Sequence, residues 1–406
     1  MKVLISSIGS RGDVQPILVL AREIESLGHR ARLCVAPNFN EWVGSFGIEC
    51  VPIGPDLERL AAGMTTRQQA NSSTETVRRI ATLGVRSQFP VLLEAARGCD
   101  LVVAAGALQF AARSVAEFLK LPYVFATYCA AVLPSPDHPP PKMGAHHSHL
   151  LSRSENVSLW EAEERSWNEL FRDSLNDERA KLALDPVDSV HRHTLTDRPW
   201  LAADPILGPA GEPHDIQIVQ TGAWLPNDPR RLPDPVEDFL SSGPPPVYFG
   251  FGSMRAAEDT SRIVVESARA LGLRSLISRG WGNLQLIDDG SDCLLLEDVA
   301  HQSLFPRVAA IVHHGGAGTT TIAARAGVPQ VVVPHLYDQY YWAHRVQQLG
   351  IGVAGSARDG LNVDRIVAAL QKCNDPEISV AARSLSLRIE DHGAEVAAER
   401  LIKDYA

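Results

Sequence analysis

Short apolar, β-branched runs alternate with helical patterns through the first half of this chain, and the same alternation starts again at Val247. Residues 3–7 lead to a helical stretch over 14–27, then to apolar runs at 31–35, 101–105 and 123–127. The second series comprises 247–251, 274–278, 293–296, 309–312 and 330–333. Nearly continuous apolar strands separated by amphipathic helices belong in parallel sheets covered on both faces. The expected fold class is therefore α/β, with two Rossmann-like, doubly wound parallel-sheet domains facing each other across a cleft. A chain of 406 residues has room for both, at roughly 150 residues per domain. The expected boundaries are 1–224 and 247–390, with an extended, proline-rich and acidic linker over 225–246 and a last helix within 391–406. Two polar or proline-rich insertions, 55–76 and 133–147, interrupt the first series and suit either substrate binding or a surface lid.

Charge and composition narrow the partners. A net charge of −10 without a run of lysines or arginines offers no field to a polyanion, so neither nucleic acid nor an anionic membrane is expected as a partner. No stretch approaches the ~20 apolar residues of a membrane span, and the amino-terminal apolar run is too short for a signal peptide. The six cysteines are scattered, with neither a C-x-x-C pair nor zinc-like histidine spacing. The expectation is a cytoplasmic protein with reduced thiols and neither a bound metal nor a cofactor.

Chemistry concentrates in His313-His314-Gly315-Gly316-Ala317-Gly318-Thr319-Thr320, where an apolar strand passes through two histidines into small residues that open a helix. Glycines admit close backbone approach, and the first helical turn offers unpaired N–H groups under a positive dipole end. Such a loop suits a diphosphate, with His313 hydrogen-bonding a phosphate oxygen beside Gly316, Ala317, Gly318 and Thr319. Asp338 and Gln339 follow the next strand, so a carboxylate and an amide emerge beside the same loop, placed to hold sugar hydroxyls.

Other strand ends carry weaker signals. The segment Gly9-Ser10-Arg11-Gly12-Asp13 lacks the G-x-G-x-x-G spacing of a dinucleotide site. It projects Ser10, Arg11 and Asp13 towards the cleft, and Asp13 could equally cap a helix beginning at Val14. Ser253, after Gly250-Phe251-Gly252, could donate to a phosphate. Arg279 and Trp281 could flank a nucleobase, or Trp281 could pack against a helix, while the backbone at Val299 could meet a base edge. The histidines of the proline-rich loop, His138 among them, are expected in solvent.

Taken in order, these segments together with 196–205, 220–224 and 338–342 resemble the GT-B glycosyltransferases, within them the vancomycin-group antibiotic glycosyltransferases. The resemblance spans nearly the whole chain. It implies a nucleoside-diphosphate sugar (TDP- or UDP-linked) bound by the carboxyl-terminal domain, a secondary-metabolite aglycone bound by the amino-terminal one, and inverting transfer without a metal. Many relatives carry a catalytic histidine in a G-H-V-x-P motif; here Gly12-Asp13-Val14-Gln15-Pro16 has an aspartate, as the vancomycin group does, which points to Asp13 as the general base. His313 and the backbone of residues 316–319 would hold the diphosphate, helped by Ser10, Arg11 and Ser253. Tyr340 departs from the proline often found after the Asp-Gln pair. A sugar-nucleotide epimerase, or a non-catalytic sugar-nucleotide-binding partner protein, are the alternatives on the same architecture.

Overall fold

A computed structural model describes residues 1–56, 58–59, 74–142, 151–212, 215–254, 256–257 and 259–406. The insertion at 55–76 and the end of the 133–147 loop lie largely outside these residues. In the first domain seven parallel strands take the order β3-β2-β1-β4-β5-β6-β7. They are β1 (Lys2–Ser7), β2 (Arg30–Val35), β3 (Glu49–Pro52), β4 (Leu101–Ala105), β5 (Tyr123–Thr127), β6 (Trp200–Leu201) and β7 (Val219–Gln220). The second domain has six parallel strands in the order β10-β9-β8-β11-β12-β13. These are β8 (Val247–Gly250), β9 (Ser275–Ser278), β10 (Cys293–Leu296), β11 (Ala310–His313), β12 (Gln330–Val332) and β13 (Gly352–Ala354). β3, β6, β7 and β13 were not expected from the sequence; each is only two to four residues long, too short to show a period.

In both sheets the strand order reverses at an internal switch point, between β1 and β4 in one and between β8 and β11 in the other. Ligand crevices in open α/β sheets form outside the strand ends at such points. The turn after β1 and the glycine loop after β11 therefore occupy equivalent places in their domains.

One expectation about the connections is corrected, and the last helix finds its docking partner. The linker is not extended throughout: Asp234–Ser241 is a helix whose Val236 and Leu240 are buried with Leu225, Leu232 and Tyr248. Acidic residues in its first turn complement the helix dipole, and the apolar positions two and six residues into it face the second domain. The last helix, Gly393–Tyr405, returns to the first domain, where Ala394, Ala397, Ala398 and Leu401 join the core beneath the helix Arg11–Ser26. The outgoing and returning chains touch at two glycines, since a Cβ on Gly393 would sit 2.4 Å from the carbonyl carbon of Gly222.

The domains also share packed surface. Trp342 is fully buried over Gly208, where a Cβ would approach the indole to 2.7 Å. Arg345 donates to the carbonyls of Leu207 and Ile206 at 2.9 and 2.8 Å. Arg11 pairs with Asp298 at 2.8 Å and lies over the Trp42 ring, while Phe39 stacks on Trp281 with centroids 5.9 Å apart.

Candidate active site

The helix that follows β1 starts at Arg11 and is capped by Ser10, so Asp13 is its third residue and Val14 is already inside it. Ser10 donates from its backbone N–H (2.7 Å) and its hydroxyl (3.2 Å) to Oδ2 of Asp13, closing a capping box. Capping and catalysis thus do not compete for the whole carboxylate. Oδ1 points the other way, towards Gly106 at the end of β4, where a Cβ would lie 3.3 Å from it. Gly9 is equally constrained, because a Cβ there would overlap Oδ2 at 2.2 Å. Tyr128 fixes the turn by donating to the Asp13 carbonyl at 2.9 Å. Burial raises the proton affinity of Asp13, against the opposing Ser10 hydrogen bonds.

Opposite, the glycine loop opens the helix Ala317–Arg325, whose N-cap Gly316 supplies no side-chain cap. The backbone hydrogen bond from Thr320 to Gly316 begins the helical series, leaving the amides of residues 317–319 facing the cleft end of the helix. Gly315 sits at φ 89°, and a Cβ there would meet Val332 at 2.7 Å, so only glycine fits.

His313, expected to reach a phosphate, is instead fully buried. Its Nδ1 accepts from the Gly315 N–H (3.1 Å), which leaves Nε2–H to donate to Oε1 of Gln330 (2.9 Å). Burial pushes its pKa down to about 4, so the ring is neutral and wholly committed to its own loop. The neighbouring His314 is half-buried. Its ring lies between Gly252, where a Cβ would meet Cε1 at 2.9 Å, and Gly316, where a Cβ would meet Nε2 at 2.6 Å. Burial and the nearby imidazoles of His313 and His335 push its pKa down to about 3. The neutral ring lies at the mouth of the helix.

A signal for this division was present in the sequence. Gln330 is the polar exception in an apolar run, and a buried amide on β12 needs a polar partner on an adjacent strand. His313, on neighbouring β11, supplies it.

The remaining candidates fall into three groups. Ser253 follows Gly252 against the His314 ring, at the end of β8. Arg11 is withdrawn from a diphosphate by Asp298, and Arg279 pairs with Glu297 at 2.8 Å. Trp281 gives a face to Phe39 of the other domain, and its backbone N–H donates to the Gly252 carbonyl at 3.0 Å, bracing that loop. Val299, partly buried after β10, makes no backbone hydrogen bond among the described residues, so its peptide remains available to a base edge.

Asp338 caps the helix Gln339–Gln348 and accepts from the Trp342 indole at 3.2 Å. Burial, then the charge of Asp13, raises its pKa to about 7. Gln339 is turned inward: its Oε1 accepts from the N–H groups of His335 (2.8 Å) and Leu336 (3.1 Å), and its amide contacts Met254 Sδ. The carbonyl expected to receive a sugar hydroxyl is already used to shape the loop.

The wall next to these residues holds a small pocket of about 10 Å³, room for roughly one water. It reaches Ala107, next to Gly106, and Tyr337, next to Asp338. Pro140 and Pro141 of the proline-rich loop line it, and His138 is buried there rather than in solvent, its carbonyl accepting from the Trp160 indole at 3.0 Å. The described part of that loop is packed wall.

Two facing parallel-sheet domains with a phosphate-type helix mouth on one side and an acidic turn on the other define a glycosyltransferase of the GT-B class. Residues 3–133 match the glycosyltransferase family 28 N-terminal domain, and residues 292–399 match the erythromycin biosynthesis protein CIII-like C-terminal domain. The chain is 41% identical to the vancomycin aglycone glucosyltransferase of Amycolatopsis orientalis over 99% of its own length and 97% of the relative's. It is 39% identical to the dTDP-epi-vancosaminyltransferase of the same organism, covering 95% and 93%. The crystal structure of the glycotransferase of kitacinnamycin superposes with a TM-score of 0.73 at 19% identity, covering 100% and 98%. The chain belongs to the vancomycin-group glycosyltransferase family, and it is an enzyme of that kind. Among the described residues no helix is long and apolar enough to cross a membrane.

Proposed function

We propose that this enzyme transfers a sugar from a thymidine-diphosphate carrier to a hydroxyl of an antibiotic aglycone, with inversion and without a metal. The observation that carries the reading is the opposition of Asp13, with Oδ1 unclaimed by its capping box, to the uncapped helix mouth at Gly316. The acceptor O–H proton passes to Oδ1, and the oxygen attacks the anomeric carbon. The bond from that carbon to the phosphate oxygen breaks, and its electron pair stays on the diphosphate. In-line displacement inverts the centre, and catalysis is mostly positioning with charge stabilisation.

The leaving charge would fall on the amides of Ala317, Gly318 and Thr319, with His314 Nε2 donating in place of His313. Asp338, ionised, would accept a sugar hydroxyl, and the unused N–H of Gln339 would add a weaker contact. Val299 and the free face of Trp281 would hold the base. Thymidine is favoured over uridine because a 39% identical relative is named for a dTDP sugar. An amide-and-imidazole cradle can stabilise the leaving diphosphate without a cation, and the sequence has no D-x-D element at a strand end.

The test is turnover of TDP-glucose and UDP-glucose with a glycopeptide aglycone in excess chelator, with product stereochemistry read by NMR. Glycosylated aglycone of inverted configuration from TDP-glucose supports the proposal. Activity that returns only with magnesium or manganese refutes the metal-free part. Donor consumption without acceptor favours the epimerase, and no consumption at all favours a non-catalytic partner.

A further inference from the structure

Arg11 is the first residue of the helix Arg11–Ser26, two places before Asp13 in a turn closed by the Ser10 capping box. A displacement of one therefore carries the other. The Arg11 guanidinium leaves its own domain: Nη1 meets Oδ1 of Asp298 at 2.8 Å, while the group lies 4.9 Å from the centroid of the Trp42 ring. Phe39 braces Trp42, with centroids 6.0 Å apart, and is also the ring that stacks on Trp281 of the second domain. Charge and aromatic contact thus join the same two surfaces.

Asp298 is the point of attachment on the donor side. It follows β10 and directly precedes Val299, whose peptide is open to a base edge. Its Oδ2 accepts from Nη1 of Arg230 at 3.0 Å, and Arg230 belongs to the connection between the domains, where it also pairs with Asp228 at 2.6 Å. Against the cost of burial, Arg11 and then Arg230 hold the Asp298 carboxyl below the ordinary aspartate range, so it is charged at neutral pH. With one oxygen for each guanidinium, Asp298 ties the turn of the first domain to the second domain and to the connection at once. Loss of Arg11 still leaves Asp298 paired with Arg230, so no charge is orphaned and the fold is kept.

Exposure decides what such a pair can do. The Arg11 and Asp298 side chains are 40% and 49% exposed, whereas Trp342 is fully buried over Gly208. Ion pairs this open to water add little stability and weaken with salt. They can hold two domains in one arrangement and still release it, which the packed Trp342 contact cannot. We infer that the Arg11–Asp298 pair is a releasable clasp between the domains, and that Arg11 is a positioning residue that keeps the Asp13 carboxylate in register with the helix mouth at Gly316. The second half of the inference rests on the reading of Asp13 as the base.

Arg11→Met removes the charge and keeps an unbranched stem over Trp42. With TDP-glucose and a glycopeptide aglycone, its kcat should fall by about 10- to 100-fold, the scale of a reacting group displaced by about 1 Å. Calorimetric affinity for thymidine diphosphate should stay within about threefold of wild type. Asp298→Asn should lose kcat to the same extent, and the double variant no more than either alone, because both substitutions break one contact. Arg11→Lys should recover most of the loss. Added sodium chloride should lower kcat in wild type and leave it flat in Arg11→Met. Small-angle X-ray scattering of the same samples should give Arg11→Met a larger radius of gyration than wild type. An unchanged kcat in Arg11→Met, losses that multiply in the double variant, or equal radii of gyration would each overturn the inference. A loss confined to thymidine diphosphate affinity would return Arg11 to the diphosphate and overturn it as well. If wild type fails to glycosylate, the proposed transferase function falls, and the scattering comparison still decides the clasp.

Discussion

The negative charge of Asp13, in the first domain, helps to raise the pKa of Asp338, in the second, to about 7. The two carboxylates are not equivalent. Asp13 has two donors from Ser10, whereas Asp338 has the Trp342 indole, so Asp13 gives up its proton first. Near neutrality the pair therefore offers a base on the acceptor side and a carboxyl still titrating on the donor side.

The pH dependence follows from that order. The folded pKa of Asp338 lies above its unfolded value, so the native state holds a proton that the unfolded chain releases between about pH 4 and pH 7. Stability contributed by this group is present at low pH and falls as pH rises through about 7. Asp338→Asn should therefore be more stable relative to wild type at pH 8 than at pH 5, as measured by urea unfolding. Donor affinity should move oppositely in wild type, rising as Asp338 ionises, and the variant should lose that inflection.

Asp13→Asn preserves the length of the capping side chain and its acceptor for the Ser10 N–H, but removes the base. Turnover should fall by about 10² to 10⁴ with donor binding nearly unchanged. Near-normal turnover would reduce Asp13 to a residue of the helix start, since Ser10 already occupies the cap.

The two adjacent histidines separate function from folding. His314→Ala should weaken thymidine diphosphate binding by about 10- to 100-fold, the worth of one hydrogen bond to a charged group, with little loss of stability. His313→Ala should lower stability by about 1–3 kcal/mol, because it strips the Gln330 amide of its buried partner. Calorimetric titration and chemical denaturation of both variants check the division.

Gly393→Ala places a methyl group 2.4 Å from the Gly222 carbonyl carbon, where the two interdomain connections cross. Backbone must shift on one side or the other, so denaturation should show a loss of about 1–3 kcal/mol. An unchanged midpoint would mean that the crossing is looser than drawn.

Much of this architecture was legible because long apolar strands and their alternation with helices are local properties. The short strands β6 and β7 were not, since two residues carry no period and their pairing is decided by distant β5. The proline-rich linker misled for a related reason: Pro235 sits in the first turn of a helix, where proline is tolerated rather than a breaker. At the site, residue type and strand end were readable for Asp13, Asp338 and the glycine loop, whereas side-chain direction was not. Which of His313 and His314 turns inward is fixed by Gln330 on a neighbouring strand, and the fate of Arg11 by Asp298 in the other domain.

The central claim is that the helix mouth at Gly316 holds the sugar carrier's diphosphate. A crystal structure of the enzyme with thymidine diphosphate measures this directly. Phosphate oxygens within hydrogen-bonding distance of the amides of residues 317–319 and of His314 Nε2, with His313 still paired to Gln330, is the expected result. A diphosphate seated elsewhere, or one contacted by His313 after it has left Gln330, would contradict it.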